Sequence, residues 1–378
     1  MHRTGMLLAL LASCAMPAPA MAQSRANTAS AWTVAIDGLS WESRASPLGV
    51  PFVSTGVISE PGTEVLLGPA EAAFGTRTGA RLGIAHALSA STAIEFSAFG
   101  LERGSFGASM ASDARTGSRH LYIPYIDPLS GRETVTDFSV PYLYSGSAIL
   151  TSTERLRGGA LDARWTIPMN GPLRLEALAG LSYLYLAESF TLDTSSPLLP
   201  AWGPDVWQTH DAFTTDNHFY GIEAGLRAQL GNDGFFGTGE LKVGAGSMRQ
   251  NVSIDGWLQT DDYTDFWTVQ QFPGGYFALP SNMGRFQRNQ FALVSQARLE
   301  IGYRFNPHVA ARLGYSGLYA SRVVRPGDQI SRVIDTSQST SYSEVPMPNP
   351  VAGTQPAFGF RTSAYLAHGI NAGLDISF

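Results

Sequence analysis

The last fifteen residues of the chain alternate without a break between apolar side chains and small or polar ones. One face of this segment carries Ala364, Leu366, His368, Ile370, Ala372, Leu374, Ile376 and Phe378. The other face carries Tyr365, Ala367, Gly369, Asn371, Gly373, Asp375 and Ser377. A period of two indicates a β-strand, but strands of soluble proteins are typically only about five or six residues long. This length and pattern are typical of a strand with lipid on one side and a polar lumen on the other.

Nine further segments with the same alternation precede this one, and short turns join eight of them into four hairpins; three of these four turns contain Gly, Pro or Asn. The predicted strands are 31–41, 77–86, 91–101, 155–167, 172–186, 218–230, 235–249, 290–305, 308–320 and 364–378. The long connections between them are 42–76, 102–154, 187–217, 250–289 and 321–363. Strict alternation of short and long connections is typical of outer-membrane barrels, with short periplasmic turns and long extracellular loops.

The predicted fold is therefore all-β: a transmembrane, antiparallel, up-and-down β-barrel of about ten strands whose first strand pairs with its last. Two additional strands near Thr134–Leu143 would raise the number to twelve. We expect the bacterial outer membrane as the location and its lipid as the surroundings of the barrel.

Residues 1–22 have the pattern of a secretory signal peptide. A basic start is followed by the apolar stretch Met6 to Ala12, and small residues precede a cleavage point after Ala22. The apolar stretch is too short to span a bilayer as a helix. The alternative is a lipoprotein signal in which Cys14 carries the lipid. We therefore divide the chain into a signal peptide, 1–22, and a barrel domain, 23–378.

Composition and motifs argue against several classes of function. The net charge is −6 with no clustering of Lys and Arg, so we expect no nucleic-acid partner. We find no phosphate-binding loop, no zinc-binding histidine motif and no complete serine-hydrolase motif, so we expect no cofactor, no metal and no enzymatic activity. One combination, His210 and Asp211 with Asp261 and Asp262, has the residue types of a water-activating protease site. We interpret these residues instead as solvated loop positions.

Charged residues occupy the face of the predicted strands opposite to the apolar face. Eight acids and eight bases are predicted to face the lumen: Asp37, Arg81, Glu95, Asp162, Arg164, Arg174, Glu176, Glu223, Arg227, Glu240, Lys242, Arg298, Glu300, Arg304, Arg312 and Asp375. Opposite charges stand two residues apart at Asp162/Arg164, Arg174/Glu176, Glu240/Lys242 and Arg298/Glu300. About eight strands enclose only side chains, so ten strands with balanced charges predict a narrow or occluded lumen. A selective conduction path is the alternative.

Aromatic residues lie near both ends of the predicted strands and predict interfacial girdles. Trp165, Tyr303 and Phe305 lie by the short turns. Tyr183, Tyr185, Tyr315 and Tyr319 lie toward the long loops. The loops are unusually apolar, for example at 121–126, Trp202 with Trp207, and Phe266–Trp267. We expect them to pack on each other or cap the lumen; a dedicated binding surface is the alternative.

The segment 319–334, which contains Arg-Pro-Gly-Asp-Gln at 325–329, resembles the signature of the putative beta-barrel porin-7 family, known best from planctomycetes. Segments 217–221, 251–256, 280–286 and 360–374 are also similar to that family. The resemblance covers roughly residues 150–378 well and implies an outer-membrane barrel. In the same segment, Arg322, Arg325, Pro326, Gly327, Asp328 and Arg332 are predicted to form a latch that ties the last loop to the barrel mouth. An anion-selective constriction is the alternative.

Two functions of different classes remain open from the sequence. The first is a narrow or occluded porin-like or structural barrel of the outer membrane. The second is a surface adhesin or interaction protein that binds an extracellular partner through its long loops. The terminal aromatic residue, Phe378, resembles an insertion signal, so the barrel assembly machinery is an expected partner during insertion.

Overall fold

The computed structural model describes residues 32–44, 46–68, 70–231, 234–261, 269–342 and 353–378. The predicted signal peptide with Cys14 lies outside these ranges. So do Asn232, Asp233 and Asp262, and the aromatic pair Phe266–Trp267.

Ten long antiparallel strands form a closed ring, in chain order around the barrel. They are β1 Trp32–Ser43, β2 Thr76–Ala87, β3 Thr92–Leu101, β4 Gly146–Ile167, β5 Leu173–Pro197, β6 Val206–Gly231, β7 Phe235–Thr260, β8 Gly284–Asn306, β9 Val309–Val323 and β10 Ser363–Ser377. β1 pairs with β10, from Thr33 opposite Ser377 to Ser43 opposite Ala367, so the ring closes between the first and last strands as predicted. The fold class and the number ten are confirmed.

The alternative of two additional barrel strands near Thr134–Leu143 does not apply to this segment. The strand Glu133–Ser139 pairs with Leu121–Ile126 in a separate four-stranded sheet that also contains Val53–Ser54 and Val65–Leu67. This sheet is separate and is not part of the ring of ten strands.

Successive side chains along each strand point alternately to the outer surface and into the lumen of the barrel. On β10, Leu366, Ile370 and Leu374 are exposed on the outer surface, whereas Tyr365 and Asn371 are fully buried. An apolar side chain that points outward has no protein partner and must face lipid, as the sequence pattern predicts.

The strands of the middle of the barrel are much longer than predicted. β6 and β7 contain 26 residues each, which corresponds to a height of about 60 Å at the usual rise and tilt. A lipid band is only about 25 Å tall, so the wall continues well beyond the outer membrane surface. The prediction that 187–217 is a long loop is wrong, because most of it belongs to β5 and β6 and only 198–205 connects them. Outward residues there are polar, so the apolar alternation ends although the strand does not.

Short elements occupy the outer end of the barrel. Gly104–Ser112 pairs with the outer part of β4, and Gln270–Pro273 pairs with the end of β7. The remaining short elements are the strands Ser46–Leu48 and Ala70–Ala72, the helical turn α1 Pro326–Gln329, and the 3-10 turns Thr336–Gln338 and Thr340–Tyr342. Within the described ranges, no helix has the length and apolar character needed to cross a membrane.

Candidate functional site

The lumen at the short-turn end holds the predicted inward charges, and ion pairs connect most of them. Arg227 on β6 is the centre of this network, because its guanidinium contacts Glu95 at 2.8 Å and Glu240 at 2.5 Å. Glu95 lies on β3, three strands away around the ring, so this contact crosses the lumen. The network therefore ties opposite walls of the barrel together.

From Glu240 the network continues around the other half of the barrel. Arg298 contacts Glu240 at 2.9 Å and Glu300 at 3.9 Å. Arg312 then contacts Glu300 at 2.9 Å and Asp37 at 2.8 Å. Further members are Arg164 with Glu95 and Glu176, Arg174 with Glu176, and Arg312 with Asp375. A second group joins Lys242 to Asp162 at 3.0 Å and to Glu223 at 2.5 Å.

The pairing within strands differs in part from the sequence prediction. Arg174/Glu176 and Arg298/Glu300 are within ion-pair distance, but Asp162 pairs with Lys242 across the lumen rather than with Arg164. The lumen is narrow enough for a charged side chain to form an ion pair with a residue on a facing strand instead of with a residue on its own strand. Arg81 and Arg304 take part in none of the ion pairs found among the described residues. Their guanidinium groups lie over the rings of Trp41 and Phe236, at 5.6 and 5.3 Å.

A cavity of about 300 Å³ lies at this end, between the charge network and the strand ends near Pro307. Farther along the lumen, an apolar layer of inward side chains follows. Its bulky members Trp41, Phe219 and Tyr365 are at most 1% exposed, and Leu156 and Leu186 pack with them. The lumen is therefore filled immediately beyond the cavity.

A buried ionic cluster lies inside the lumen on the extracellular side of the apolar layer. Arg325 reaches into the barrel from the last long loop and donates to both carboxylate oxygens of Glu188, at 2.6 to 3.1 Å. Glu154 lies 3.7 Å from Arg325, forms an ion pair with Arg77, and accepts from the Tyr365 hydroxyl at 2.7 Å. All four charged side chains are at most 4% exposed. Two acids and two bases thus compensate each other in the interior.

The predicted latch residues do not act as one unit, since they lie on both surfaces of the wall. Arg325 is the buried anchor just described, whereas the Arg322 side chain is exposed and donates to the Phe291 carbonyl. Asp328 accepts from Ser363 at 2.7 Å, and Arg332 forms an ion pair with Glu133.

The Pro326–Gly327 turn of the latch packs against another loop. A Cβ at Gly327 would lie 1.6 Å from the Pro47 carbonyl oxygen, so glycine is required by this close approach. The last loop therefore folds into the barrel mouth.

Loop residues form a second apolar core inside the outer part of the barrel. Phe277, Leu279 and Ile334 are completely buried there against Phe190 and Phe213, which point inward from β5 and β6. Cores inside proteins exclude water at crystal-like packing density. This core closes the outer end of the lumen.

Asp211 fixes one of these loops. Its carboxylate accepts backbone N–H bonds from Tyr276, Phe277 and Ala278 at 3.0, 2.8 and 2.6 Å. Burial raises the pKa of Asp211 to about 6, while the three N–H donors act in the opposite direction. A Cβ at Gly275 would lie 2.5 Å from the Asp211 carboxylate, which explains glycine at that position.

The interpretation of His210 and Asp211 as solvated loop residues is wrong, because both lie within β6. His210 pairs with Asp193 at 2.6 Å on the outward surface, whereas Asp211 is buried inside. Asp261 accepts from the backbone of Val206 at 2.9 Å. The structure therefore separates His210 from Asp211 by the thickness of the wall. Sequence reasoning missed Glu154 and Glu188, although both continue the inward parity of Asp162 and Glu176 along β4 and β5.

The girdle residues lie where predicted on the outer surface. Trp165 and Phe305 are 44% and 62% exposed near the short turns, and Tyr183 and Tyr315 are 37% and 52% exposed near the opposite edge. The exposed terminal residue Phe378 exchanges two backbone hydrogen bonds of 3.0 Å with Trp32, at the seam between β10 and β1.

Comparison with known proteins gives one family and several distant structures. The sequence model of the family described as putative beta barrel porin-7 matches residues 45–378. The outer membrane protease OmpT from Escherichia coli is 10% identical, with 94% of this chain and 99% of that chain covered and a TM-score of 0.43. LpxR from Salmonella typhimurium is 10% identical over 92% and 100% of the two chains (TM-score 0.21). A Pseudomonas aeruginosa FadL homologue is 10% identical over 92% and 89% (TM-score 0.23). None of the curated proteins matches the sequence.

Proposed function

The chain belongs to the putative beta barrel porin-7 family of bacterial outer-membrane barrels, and we propose that this member of the family is closed and non-conducting and supports a rigid head outside the membrane. The head is formed by the outer ends of the strands and the loops packed there. The observation that carries this proposal is the continuous filling of the lumen. Along β5, the inward side chains run from Glu176 in the charge network through Leu184 and Leu186 to Glu188 and then Phe190. Each level is occupied by side chains from facing strands or loops.

Ion passage through such a lumen would require several layers to open together. An ion in an apolar layer loses its hydration, at a cost of many kcal/mol. The apolar layer containing Trp41, Phe219 and Tyr365 is formed by the wall itself, so withdrawal of the loops alone would leave it in place. These contacts support a structural barrel over a porin-like channel.

Single-channel recording in planar bilayers tests this proposal. The folded protein, verified by its heat-dependent migration on a detergent gel, should give no reproducible current steps. A variant in which 326–361 is replaced by a short Gly-Ser linker should also stay closed, because the wall-borne apolar layer remains. Reproducible currents from the wild-type protein would contradict a closed barrel, and currents from the linker variant alone would assign closure to the loop.

A role as a surface interaction protein has a specific observation in its favour. At the outermost hairpin, Trp202 is 61% exposed and donates its indole N–H to the carbonyl of Tyr142, which is 60% exposed. Tyr142 has a φ of 67°, a conformation that costs free energy for a residue other than glycine, and its N–H donates to Ala114 at 2.7 Å. Two large aromatic side chains are thus held in water at the tip.

Exposed aromatic residues of this kind are typical of binding hot spots. We propose that they contact an extracellular partner. Binding of whole cells to host or neighbouring surfaces should fall in a Trp202→Ser, Tyr142→Gly double variant and remain in a Leu129→Ser control, whose side chain is 96% exposed elsewhere on the head. Equal binding by both variants would refute this second role.

A further inference from the structure

A groove of about 830 Å³ interrupts the outer, lipid-facing surface of the barrel across β3 to β7. Its floor includes Ala98 and Gly159, which stand opposite each other on β3 and β4. The next outward-facing pair toward the short turns is Phe96 and Leu161, which are 45% and 48% exposed. Small residues bordered by large ones make a depression that a hydrocarbon chain can fill.

Tyrosines and aliphatic residues complete the walls of the groove. Tyr183 on β5 stands opposite Tyr220 on β6, and Leu181 stands opposite Ile222 one pair closer to the short turns. All four are exposed on the outer surface, and the Tyr183 and Tyr220 rings lie 5.1 Å apart. Aromatic side chains at this height mark the membrane–water interface, so the groove begins at the outer boundary of the lipid band and continues into it.

A row of polar and basic side chains lies immediately outside the groove. Strand pairing places Arg157, Tyr185, His218 and Arg249 side by side on β4, β5, β6 and β7. Arg157 also lines the groove itself. Three strand spacings separate Arg157 from Arg249, a distance of about 14 Å between backbones, which long arginine side chains can shorten.

These arginines have no acidic partner among the ion pairs of the described ranges. Arg249 donates to the Gln287 side chain at 3.0 Å, and Arg157 and its neighbour Arg155 are exposed. Two exposed or partly exposed acids stand about one pair farther out: Asp216, which accepts from the Tyr185 hydroxyl at 3.0 Å, and Glu102, which follows β3. The row therefore carries a positive charge that an external anion can neutralise.

We propose that the groove and this row form a binding site for an anionic, phosphate-bearing lipid of the outer leaflet, with an acyl chain in the groove and the phosphate between Arg157 and Arg249. The occupant is a lipid because the groove faces the bilayer and its lining is apolar. Its charge is negative because the arginines stand at the height of the headgroups. Arginine pairs favourably with phosphate through two parallel hydrogen bonds.

Native mass spectrometry of the detergent-folded protein, titrated with phosphatidylglycerol or with phosphatidylcholine, tests this site. The wild type should retain one phosphatidylglycerol in preference to phosphatidylcholine. The R157Q/R249Q variant keeps two polar side chains of similar length without charge, and its phosphatidylglycerol affinity should fall roughly 30-fold, since each surface arginine contributes about 1 kcal/mol. Ala98→Leu fills the groove from the lipid side, so it should weaken both lipids while leaving the arginine row intact.

Arg285→Gln is the matched control, because Arg285 is an exposed, outward-facing arginine two pairs farther out along β8 than the row. It should retain wild-type affinity, and heat-dependent migration on a detergent gel checks that every variant folds. Equal retention of the two lipids by the wild type, or an equal loss in R285Q and R157Q/R249Q, would overturn the proposal. Displacement of phosphatidylglycerol by millimolar inorganic phosphate, with no effect of Ala98→Leu, would show a site for free phosphate instead of a lipid.

Discussion

The buried pair Arg325–Glu188 offers a quantitative test of how the last loop is held in the barrel. The Arg325→Met variant removes a guanidinium that makes three contacts of 2.6 to 3.1 Å with a carboxylate that is completely buried. Burial already raises the pKa of Glu188, so without Arg325 the buried carboxyl either stays charged without a partner or takes up a proton, and we expect a loss of about 3–5 kcal/mol. Replacement of both residues, in Arg325→Met with Glu188→Leu, leaves no unpaired charge at this contact, so the double variant should lie within about 2 kcal/mol of the wild type.

The expected signature is a coupling free energy of about 3 kcal/mol between the two positions. The Glu188→Leu single variant should lose less than Arg325→Met, since Arg325 keeps Glu154 at 3.7 Å and the Arg44 carbonyl at 3.2 Å. The measurement is the free energy of urea unfolding of the vesicle-folded protein, monitored by tryptophan fluorescence. Arg322→Met makes the same chemical change on an exposed side chain three residues earlier and should cost less than about 0.5 kcal/mol.

Additive losses in the two single variants would refute this reasoning, because they would mean that Arg325 and Glu188 contribute independently. A loss in Arg322→Met equal to that in Arg325→Met would assign the effect to the arginine stem or to the loop as a whole.

Four further predictions concern other parts of the molecule. Asp211→Ala should leave three buried N–H groups without an acceptor, which costs about 3 kcal/mol or more. This variant should allow protease cleavage near 274–279, detected by mass spectrometry, whereas Asp193→Ala, on the outer surface, should not allow cleavage there. Burial raises the pKa of Asp211 to about 6 from 3.8, so ionisation of Asp211 disfavours the folded state. The wild-type free energy of urea unfolding should therefore fall as the pH rises from about 4 to about 6, and this part of the pH profile should be absent in Asp211→Ala. Lys242→Met should lose about 3–5 kcal/mol in urea unfolding, since it leaves Asp162 and Glu223 buried together without a cation; Arg174→Met, which is 54% exposed, should lose far less. Phe378→Ser should lower the amount of folded barrel recovered from outer-membrane fractions, and Phe305→Ser, equally exposed on the lipid surface, should leave it nearly unchanged.

The sequence predicts the lipid-spanning part of this protein well and the extracellular part poorly, for a physical reason. Between Trp165 and Arg157 the outward residues of β4 must match lipid, so alternation is strict and fixes the strand, its register parity and its inward charges. Beyond Arg157 the outer surface meets water, and residues such as Thr153 and Thr151 are acceptable there. Every second residue of β4 nevertheless continues to point inward, through Glu154 and Leu150. A strand prediction that relies on apolar residues on the outer face misses this part of the strand.

Which charges pair across the lumen follows from the closed shape of the barrel. Asp162 and Arg164 share a strand, yet Lys242 lies closer to Asp162 because β7 faces β4 across a narrow interior. The role of Asp211 depends in the same way on a loop whose backbone N–H groups converge from more than sixty residues away. Contacts of this kind have no local periodicity.

The height of the wall and the filling of the lumen are two consequences of the same arrangement. Strands that continue beyond the membrane bring inward side chains such as Phe190, Leu192 and Phe213 to a level where an open lumen would hold water. Exposure of these side chains would cost about 1.5–3 kcal/mol each. The loops supply the missing partners, which explains why Leu121–Ile126 and 276–279 are apolar although they lie outside the lipid. Head and barrel therefore share one core above the membrane, and shortening the loops should destabilise the upper wall while leaving the lipid-spanning charge network intact.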